Sequence, residues 1–333
     1  MIRKISLNDK KAIEMSFVWI FAIVIGAMIV ILALYLASQL TKQQTFQVNT
    51  VSAKGFVNMM DPLQTTVEQG KIEPVRMNTL TKVFVECEED SDYGVSKVGL
   101  IQQTAFVKEQ KPGAFVSIRN NYLFSEDEIE GKYFNFITVP FQMPFKAADM
   151  IIVYSGYYCF VNPPSGIKSD LRALGISNSS GLEIKDSKTQ CSKDSKTVCF
   201  EQVSGCDANV FCDGESCEQG YVKKGTKSLY FINGLTSYGD AVNSMVYAAV
   251  FSSSDNYNCN QKRIFKRLQA LSSLYAQKAR FVSGRGCNTG LAGDLDVLGE
   301  LAGNFKDAKD LSGIYEKAKE INQKNEVLQC QLF

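Results

Sequence analysis

The stretch KKAIEMSFVWIFAIVIGAMIVILALYLASQL, Lys10 to Leu40, decides how the chain is organised. From Met15 to Ala37 it holds 23 residues without a formal charge, and Glu14 lies at its basic edge. As a helix these residues span roughly 35 Å, at about 1.5 Å per residue, which is enough to cross the hydrocarbon core of a bilayer. The stretch therefore predicts a transmembrane helix over residues 13–40.

Its composition favours a retained anchor over a cleaved export signal. A signal peptide has a shorter apolar region, of about 7–15 residues, followed by small side chains at the cleavage site. Here Tyr35 and Leu36 stand just upstream of the small pair Ala37-Ser38. We therefore expect an uncleaved, single-pass anchor in the cell membrane.

The charges that flank the apolar stretch predict its orientation. Lys42 alone follows the stretch closely, whereas four basic residues precede it: Arg3, Lys4, Lys10 and Lys11. Cytoplasmic flanks of membrane helices carry the excess of Lys and Arg. We therefore expect residues 1–12 to form a basic cytoplasmic N-terminus and the bulk of the chain to be extracellular.

All ten cysteines fall on the predicted outer side of the membrane. They are Cys87, Cys159, Cys191, Cys199, Cys206, Cys212, Cys217, Cys259, Cys287 and Cys330. An even number of cysteines in an exported domain predicts disulfides. A metal site is the alternative, but the chain has no C-x-x-C motif and no histidine, so a Cys/His zinc site is excluded. We expect five disulfides and no metal.

The residues Lys10-Lys11-Ala12, followed by Ile13, Glu14 and the apolar helix, resemble the N-terminus of archaeal type IV pilin-like proteins, which carry a class III signal. In that class a prepilin peptidase cuts after a basic and a small residue, and the mature helix forms the core of a filament. The resemblance covers residues 1–40. It departs from the pilin pattern at Glu14, which would be second in a chain cut after Ala12, earlier than the usual pilin glutamate.

A second resemblance concerns the rest of the chain. The segment FSEDEIEGKYFNFITVPFQMPFKAADMI, Phe124 to Ile151, and the cysteine-rich second half look like large membrane-anchored surface proteins of archaea. This resemblance implies a membrane-anchored surface protein and names no activity.

Glu14 has two interpretations. A glutamate near the cytoplasmic edge of a membrane reaches headgroup water at modest cost and needs no function. Alternatively, its carboxylate pairs with the new N-terminal amine of a neighbouring subunit and fixes the stagger of an assembly. Under the second interpretation Lys11, Ala12 and Glu14 are the candidate processing and assembly residues.

The predicted fold class is α+β: an N-terminal transmembrane helix, a β-rich exterior domain, a disulfide-rich segment and a C-terminal helical hairpin. Residues 41–62 lack proline before Pro62 and predict a helical stalk. Residues 77–235 predict the β-rich domain, with a cysteine-rich insert over 187–220. The segment from Cys191 to Cys217 is expected to form loops or short hairpins held by crosslinks.

Five segments of the β-rich domain are rich in β-branched and aromatic residues and predict a mostly antiparallel sheet. They are Thr81–Cys87, Val95–Val107, Ala114–Ile118, Tyr133–Phe141 and Asp149–Val161. A short helix at Ser169–Leu174 and strands at Leu182–Lys185 and Ser228–Ile232 are expected after them.

Residues 238–333 predict a helical subdomain packed on the β-rich domain. A helix capped by Asp240 is expected to end near Phe251, and apolar spacing predicts another from about Asn260 to Ser283 and a further one over Leu291–Ile321. The glycine-rich SGRGCNTG, Ser283 to Gly290, is the expected turn of this hairpin, since it lacks the strand that precedes a phosphate-binding loop.

Helix geometry limits the crosslinks of this subdomain. Cys259 and Cys287 flank a helix about 40 Å long, whereas disulfide partners need Cα atoms within about 7 Å, so these two are not expected to pair. An antiparallel return of the chain predicts instead that Cys259 pairs with Cys330.

The sequence gives little support for an enzyme. The absence of histidine excludes Ser-His-Asp and Cys-His devices, and neither G-x-S-x-G nor the P-loop pattern occurs. Charged clusters are expected to be solvated. These are Glu88, Glu89, Asp90 and Asp92; Glu126, Asp127, Glu128 and Glu130; and Lys262, Arg263, Lys266 and Arg267.

Three function classes remain. The first is a non-catalytic surface protein whose helix assembles into a pilin-like filament or membrane complex. The second is a single-pass adhesin or receptor. The third is a membrane-tethered enzyme that uses carboxylates or an unrecognised site. The expected partners are the lipid bilayer and either further copies of the chain or other membrane-surface proteins. A net charge of +1 gives no field that would attract nucleic acid, and no cofactor is expected. Asn178, in Asn-Ser-Ser, is a candidate glycosylation site.

Overall fold

The computed structural model describes residues 17–60, 72–89, 93–103, 111–176, 180–235 and 244–333. The chain divides into two units, Met1–Val48 and Asn49–Phe333. The fold is mixed helix and sheet, with one long apolar helix near the N-terminus.

Helix α1 runs without interruption over 42 residues, Phe17–Asn58. It therefore joins the predicted apolar helix and most of the predicted stalk in one element. In the polar centre of α1 two threonine hydroxyls bond to backbone carbonyls four residues back: Thr41 donates to Ala37 O and Thr45 to Thr41 O, both at 2.9 Å.

The described part of the second unit contains two six-stranded sheets. Across the first, the order is β3 (Val116–Ile118), β2 (Val95–Gln102), β1 (Ile72–Glu88), β5 (Glu128–Gln142), β6 (Lys146–Ser155) and β4 (Tyr122–Phe124). Across the second, it is β12 (Lys227–Ile232), β11 (Gln219–Lys224), β10 (Ala208–Cys212), β9 (Ser195–Phe200), β7 (Tyr157–Val161) and β8 (Leu182–Lys185). The first sheet is antiparallel except for β4 beside β6, whereas β10, β9, β7 and β8 are parallel to one another.

Each of the five predicted strand segments contains a strand, but the segment Asp149–Val161 contains two. It divides at Gly156, whose φ of 81° lies in the left-handed region that favours glycine. The two resulting strands, β6 and β7, belong to different sheets. The chain therefore crosses from one sheet to the other at Gly156.

The interpretation of the segment Cys191–Cys217 as crosslinked loops was wrong for part of it. The segment contains β9 and β10, and Val198, Phe200 and Val210 lie in the main hydrophobic core. Parallel pairing of β9 with β7 and with β10 places alternate side chains inside, although the surrounding segment is polar.

Strand β5 is buried on both faces from Phe134 to Val139. On β5, Phe134 and Phe136 face a core that includes the end of α1, where Phe56 lies 5.6 Å and 5.3 Å from their ring centroids. Val139 and Phe141 belong to the other core. Alternate residues of a strand point to opposite faces, so burial of both faces explains the nearly continuous apolar sequence of this strand.

Five α-helices follow α1 in the described residues, besides a 3₁₀ helix at Lys188–Gln190. They are α2 (Ser165–Ala173), α3 (Ser244–Phe251), α4 (Ser254–Ser283), α5 (Ala292–Gly303) and α6 (Ala308–Glu326). All eight side chains of α3 are buried, and α3 contacts strands of both sheets. A helix that is apolar on every side is expected inside a core, and α3 joins the two sheets.

The C-terminal region is a bundle of three helices rather than the predicted hairpin. The second predicted helix breaks after Gly303 and restarts at Ala308, where the Asp307 side chain accepts from Lys309 N at 2.9 Å as part of a capping box. α5 runs back along α4 as far as Phe305, whose ring lies 4.5 Å from Phe265. α6 then returns, so the chain ends beside the C-terminal end of α4.

Candidate functional site

The first candidate site is the surface of α1 over residues 17–40, here called the apolar helix surface. Its apolar side chains are exposed, including Phe17 at 80% and Trp19 at 68%. Among the described residues α1 is the one helix long and apolar enough to cross a membrane, with a mean hydropathy of 3.0 over its most apolar window. The 24 residues of this surface span about 36 Å, which matches a bilayer core of about 30 Å crossed with some tilt.

The disulfides confirm the expectation that the cysteines are crosslinked. All ten are paired, and the Cα atoms of each pair lie 4.7–6.2 Å apart. The pairs are Cys87–Cys259, Cys159–Cys191, Cys199–Cys206, Cys212–Cys217 and Cys287–Cys330. Persistent disulfides are typical of oxidising compartments.

The expected pair of Cys259 and Cys330 was wrong, although Cys259 and Cys287 indeed do not pair. Cys259 lies near the start of α4, which packs on β1, and bonds to Cys87 of that strand. The third helix carries Cys330 to the opposite end of α4, where it bonds to Cys287. Because this region has one helix more than expected, Cys330 pairs with Cys287, and Cys259 pairs with Cys87.

Other predicted site residues lie outside the described residues. These are Lys11, Ala12 and Glu14, the candidates for processing and assembly, and Asn178, the candidate for glycosylation. Their roles stay predictions.

One group of side chains has the spacing of a metal site: Cys159, Glu183 and Cys191. The two sulfurs are joined to each other in a disulfide, so neither is a thiolate ligand. Glu183 accepts hydrogen bonds from Ser192 N at 2.9 Å and Ser195 Oγ at 3.3 Å. The group is therefore a crosslinked turn and not a metal centre.

The acidic clusters largely form ion pairs with lysines at the protein surface. The pairs within 4 Å include Lys97–Glu88, Lys262–Glu89, Lys224–Glu126, Lys82–Glu128 and Lys82–Glu130. Asp90 and Asp92 lie outside the described residues. Side chains in such exposed pairs contribute little individually and do not indicate a catalytic pair.

The expectation that Arg263 lies on a solvated helix face was wrong. Only 2% of Arg263 is exposed, whereas its neighbour Lys262 is exposed and pairs with Glu89 at 3.0 Å. The two residues are adjacent in sequence and so lie about 100° apart around α4, which places them on different faces. The composition of this basic cluster therefore does not show which of its residues is buried.

Arg263 connects α4 to the first sheet through neutral acceptors. Its Nε donates to Tyr93 O at 2.8 Å, and its Nη1 donates to Ser96 Oγ at 2.9 Å and to Asn260 Oδ1 at 2.7 Å. The guanidinium also lies 4.9 Å from the ring of Tyr122. Burial lowers the pKa of Arg263 to about 10, so the side chain remains a cation at neutral pH.

Close packing surrounds this cation. A Cβ on Gly94, whose φ is 65°, would lie 2.7 Å from Cδ and Nε of Arg263. Every nitrogen of the guanidinium has an acceptor in the protein. This satisfied, enclosed network is a structural connection rather than a ligand site.

A cleft that sequence reasoning missed lies where the two sheets meet. It has a volume of about 590 Å³ and is lined by Tyr133 of β5 and Tyr157 of β7, which are 53% and 58% exposed. We call it the tyrosine cleft. Three glycines also line it: Gly131, Gly156 and Gly181. The only sequence signal was a tyrosine in each of two predicted strands, and nothing in the sequence alone brings the two together.

Charged and polar side chains complete the lining of the tyrosine cleft. Arg76 lies opposite Tyr133 in the register of β1 and β5, with its guanidinium 5.8 Å from the tyrosine ring. Lys132, Glu130 and Asn135 also line the cleft. Glu130 already pairs with Lys82 at 3.3 Å, so the cations dominate the charge of the cleft.

Comparison with protein-family models, with curated proteins and with solved structures found no match for this chain. Its function is therefore inferred from its own residues and their geometry.

Proposed function

We propose that this chain is a non-catalytic, membrane-anchored extracellular protein and a component of a pilin-like or other surface assembly. The observation that carries the proposal is the exposed apolar helix surface on a chain in which all ten cysteines are crosslinked. The exposed surface matches a bilayer in length, and the disulfides match an oxidising exterior. Together with the basic residues before α1, they support an N-terminus in the cytoplasm and the second unit outside.

The assembly part of the proposal is supported by the N-terminal sequence. Lys11 and Ala12 resemble the residues that precede the pilin cut, and Glu14 follows them, although earlier than the usual pilin glutamate. Helix α1 continues without a break from Phe17 to Asn58. A carboxylate near a new N-terminal amine of another copy would set the stagger of neighbouring helices.

Intact-mass measurement on the full chain, taken from native membranes, tests both parts. We expect alkylation to add nothing before reduction and ten adducts after it, because all ten thiols are in disulfides. The pilin-like part of the proposal requires a cut after Ala12, so under it the mass should also lack residues 1–12. An unprocessed N-terminus would contradict the pilin-like part alone, whereas thiols that are free in the cell would contradict the extracellular location.

Replacement of Glu14 by Gln tests the assembly directly. The variant should still insert into the membrane, because the apolar helix surface is unchanged, but its oligomers should be lost on native gels. Glu68→Gln, outside the apolar stretch, is the matched control and should assemble as the wild type does. Unchanged oligomers of the Glu14 variant would leave its carboxylate with the simple role of a glutamate at the membrane edge.

A second candidate function, a single-pass adhesin or receptor, is favoured by the tyrosine cleft. A concave surface with two exposed aromatic rings and unneutralised cations is typical of ligand recognition rather than of packing. This function requires only the anchor and no assembly.

A further inference from the structure

The two rings of the tyrosine cleft provide flat apolar surface at an exposed position. Isolated apolar residues on a surface need no explanation, but here Tyr133 and Tyr157 come from different sheets and line one concavity. An aromatic ring of this kind stacks against a ligand that offers a flat apolar face. The C–H face of a pyranose ring is such a face.

Two cations of the cleft have no carboxylate partner in the described part of the chain. Arg76 and Lys132 take part in none of the ion pairs found there. Arg76 is instead held over the ring of Tyr133, so its guanidinium is positioned beside the stacking surface. A ligand that fits both features carries a negative charge next to its apolar face.

One polar side chain that lines the cleft, Asn135, is bonded within the protein. Asn135 is 3% exposed, and its Nδ2 donates to Ser180 O at 3.1 Å. Its Oδ1 is buried and, among the described residues, has no donor. Because Oδ1 has almost no surface open to solvent, a ligand in the cleft does not reach it, and the ligand contacts of the cleft come from its tyrosines and cations.

We propose that the tyrosine cleft binds an acidic saccharide, with a sugar ring stacked on the tyrosines and its carboxylate bound by Arg76 and Lys132. The volume of about 590 Å³ lies within the range of about 300–1,000 Å³ that is usual for small-ligand sites. Binding at this site goes beyond anchoring and assembly.

The choice of a saccharide over a nucleotide rests on the proposed function. A nucleotide also combines a stacking face with negative charge, but glycans are the acidic ring compounds that an extracellular surface meets. A membrane-anchored protein with this cleft exposed would recognise surface polysaccharide.

Calorimetric titration of the full chain tests the proposal. The protein is kept in a detergent without a sugar headgroup, since such a headgroup would itself occupy the cleft. The probes are tri-galacturonic acid, the neutral galactose trisaccharide and adenosine monophosphate. We expect the acidic trisaccharide to bind about tenfold more tightly than the neutral one, because a charge-assisted bond to Arg76 is lost in the latter.

Variants with matched controls assign the binding to the cleft. Tyr157→Leu should weaken binding of tri-galacturonic acid about threefold to tenfold, and Arg76→Gln about tenfold or more. The controls are Phe281→Leu and Arg285→Gln. Phe281 is an exposed ring on another part of the surface, and the Arg285 guanidinium lies 4.5 Å from its centroid. Both control variants should bind tri-galacturonic acid as the wild type does. Lys132→Gln, at an exposed position, gives the same test if another variant fails to fold.

Three results would overturn the proposal: equal affinity for the acidic and neutral trisaccharides, tighter binding of adenosine monophosphate, or equal losses in the cleft and control variants. None of them depends on the orientation of the chain in a membrane. Failure of this inference is therefore distinguishable from failure of the proposed extracellular location, which the cysteine measurements test.

Discussion

At the scale of single residues, Arg263 shows how a charge is accommodated without a counter-charge. Burial of an unpaired cation is costly, and in the described residues this one is surrounded by neutral oxygens and an aromatic ring rather than by a carboxylate. The hydrogen bonds to Tyr93 and Ser96 reach from α4 to β2 of the first sheet and to the residues just before it. The cation therefore joins two elements that are 167 or more residues apart in sequence.

Replacement of Arg263 by Met should lower the free energy of unfolding by about 3 kcal/mol. The methionine fills part of the volume, but Tyr93 O, Ser96 Oγ and Asn260 Oδ1 lose their charged donor while they remain buried. Urea unfolding of the full chain in detergent, followed by near-UV circular dichroism, measures the change.

Lys262→Met is the control, since it removes an exposed cation from the adjacent position. Its ion pair with Glu89 has side chains 46% and 49% exposed, so the change in stability should be below about 0.5 kcal/mol. Equal effects of the two substitutions would mean that the Arg263 network contributes nothing beyond a surface pair.

Single residues also show what the sequence alone does not predict, which is the partner that each residue contacts. The even number of cysteines and the absence of histidine predicted disulfides from chemistry alone, and all ten are paired. Their partners depended on helix number: one break at Gly303 sends Cys330 to Cys287 instead of to Cys259. Likewise Tyr133 and Tyr157 share a cleft only because β5 and β7 belong to sheets that meet there.

At the scale of elements, the crosslink between β1 and α4 should contribute most to stability. Cys87 and Cys259 are separated by 172 positions, compared with 5 for Cys212 and Cys217. Because the entropy removed from the unfolded chain grows with loop length, we expect Cys87→Ser with Cys259→Ser to lower stability by about 5 kcal/mol, and Cys212→Ser with Cys217→Ser by about 2 kcal/mol.

Urea midpoints of the two double variants check this order. Each variant retains the other four disulfides, which a count of alkylated thiols after reduction verifies. A larger loss from the Cys212–Cys217 variant would show that native packing around the short loop outweighs loop entropy.

A charge network fastens α6 to α5 and gives this region a pH dependence. Lys317 and Lys324 both contact Asp294 of α5 and Glu320 of α6. Hydrogen bonds from Lys317 and Lys324 lower the pKa of Glu320 from its usual 4.5 to about 2. A carboxylate with a lowered folded pKa stabilises the fold above its unfolded pKa, and this contribution is lost as the pH falls from about 4.5 towards 2.

Glu320→Gln should therefore flatten the fall in thermal midpoint between pH 5 and pH 3, compared with the wild type. Because Glu320 is at the surface, 0.5 M salt should reduce the difference between the two proteins. Glu316→Gln on the same helix is the control and should follow the wild-type profile. Parallel profiles for the wild type and the Glu320 variant would contradict the contribution assigned to this network.

At the element scale the sequence predicted strands and helices better than their connections. β8 lies at Leu182–Lys185, where a strand was expected, and α4 ends at Ser283, as the glycines after it indicated. The division between β6 and β7 and the three-residue strand β4 were missed. Both depend on pairing with distant strands, which local sequence does not encode.

At the scale of the whole molecule, the two units of the chain favour different surroundings. The first unit exposes apolar side chains along α1, which favour lipid, whereas the second encloses its own cores and carries all ten cysteines. A bilayer satisfies the first unit, and an oxidising aqueous phase suits the second. The orientation that provides both is set, in the proposed function, by the basic residues before α1.

Replacement of Arg3, Lys4, Lys10 and Lys11 by Gln should therefore give a mixture of orientations, because Lys42 then carries the nearest positive charge. Molecules that insert in reverse place their cysteines in the reducing cytosol, where disulfides are not maintained. Maleimide labelling before and after permeabilisation measures the two populations: the wild type should not react without reductant, and the inverted fraction should react only after permeabilisation. Lys42→Gln, which increases the original bias, should behave as the wild type does. If every molecule of the fourfold variant keeps its cysteines oxidised, the basic flank does not determine the orientation, and a feature of the exported unit itself must do so.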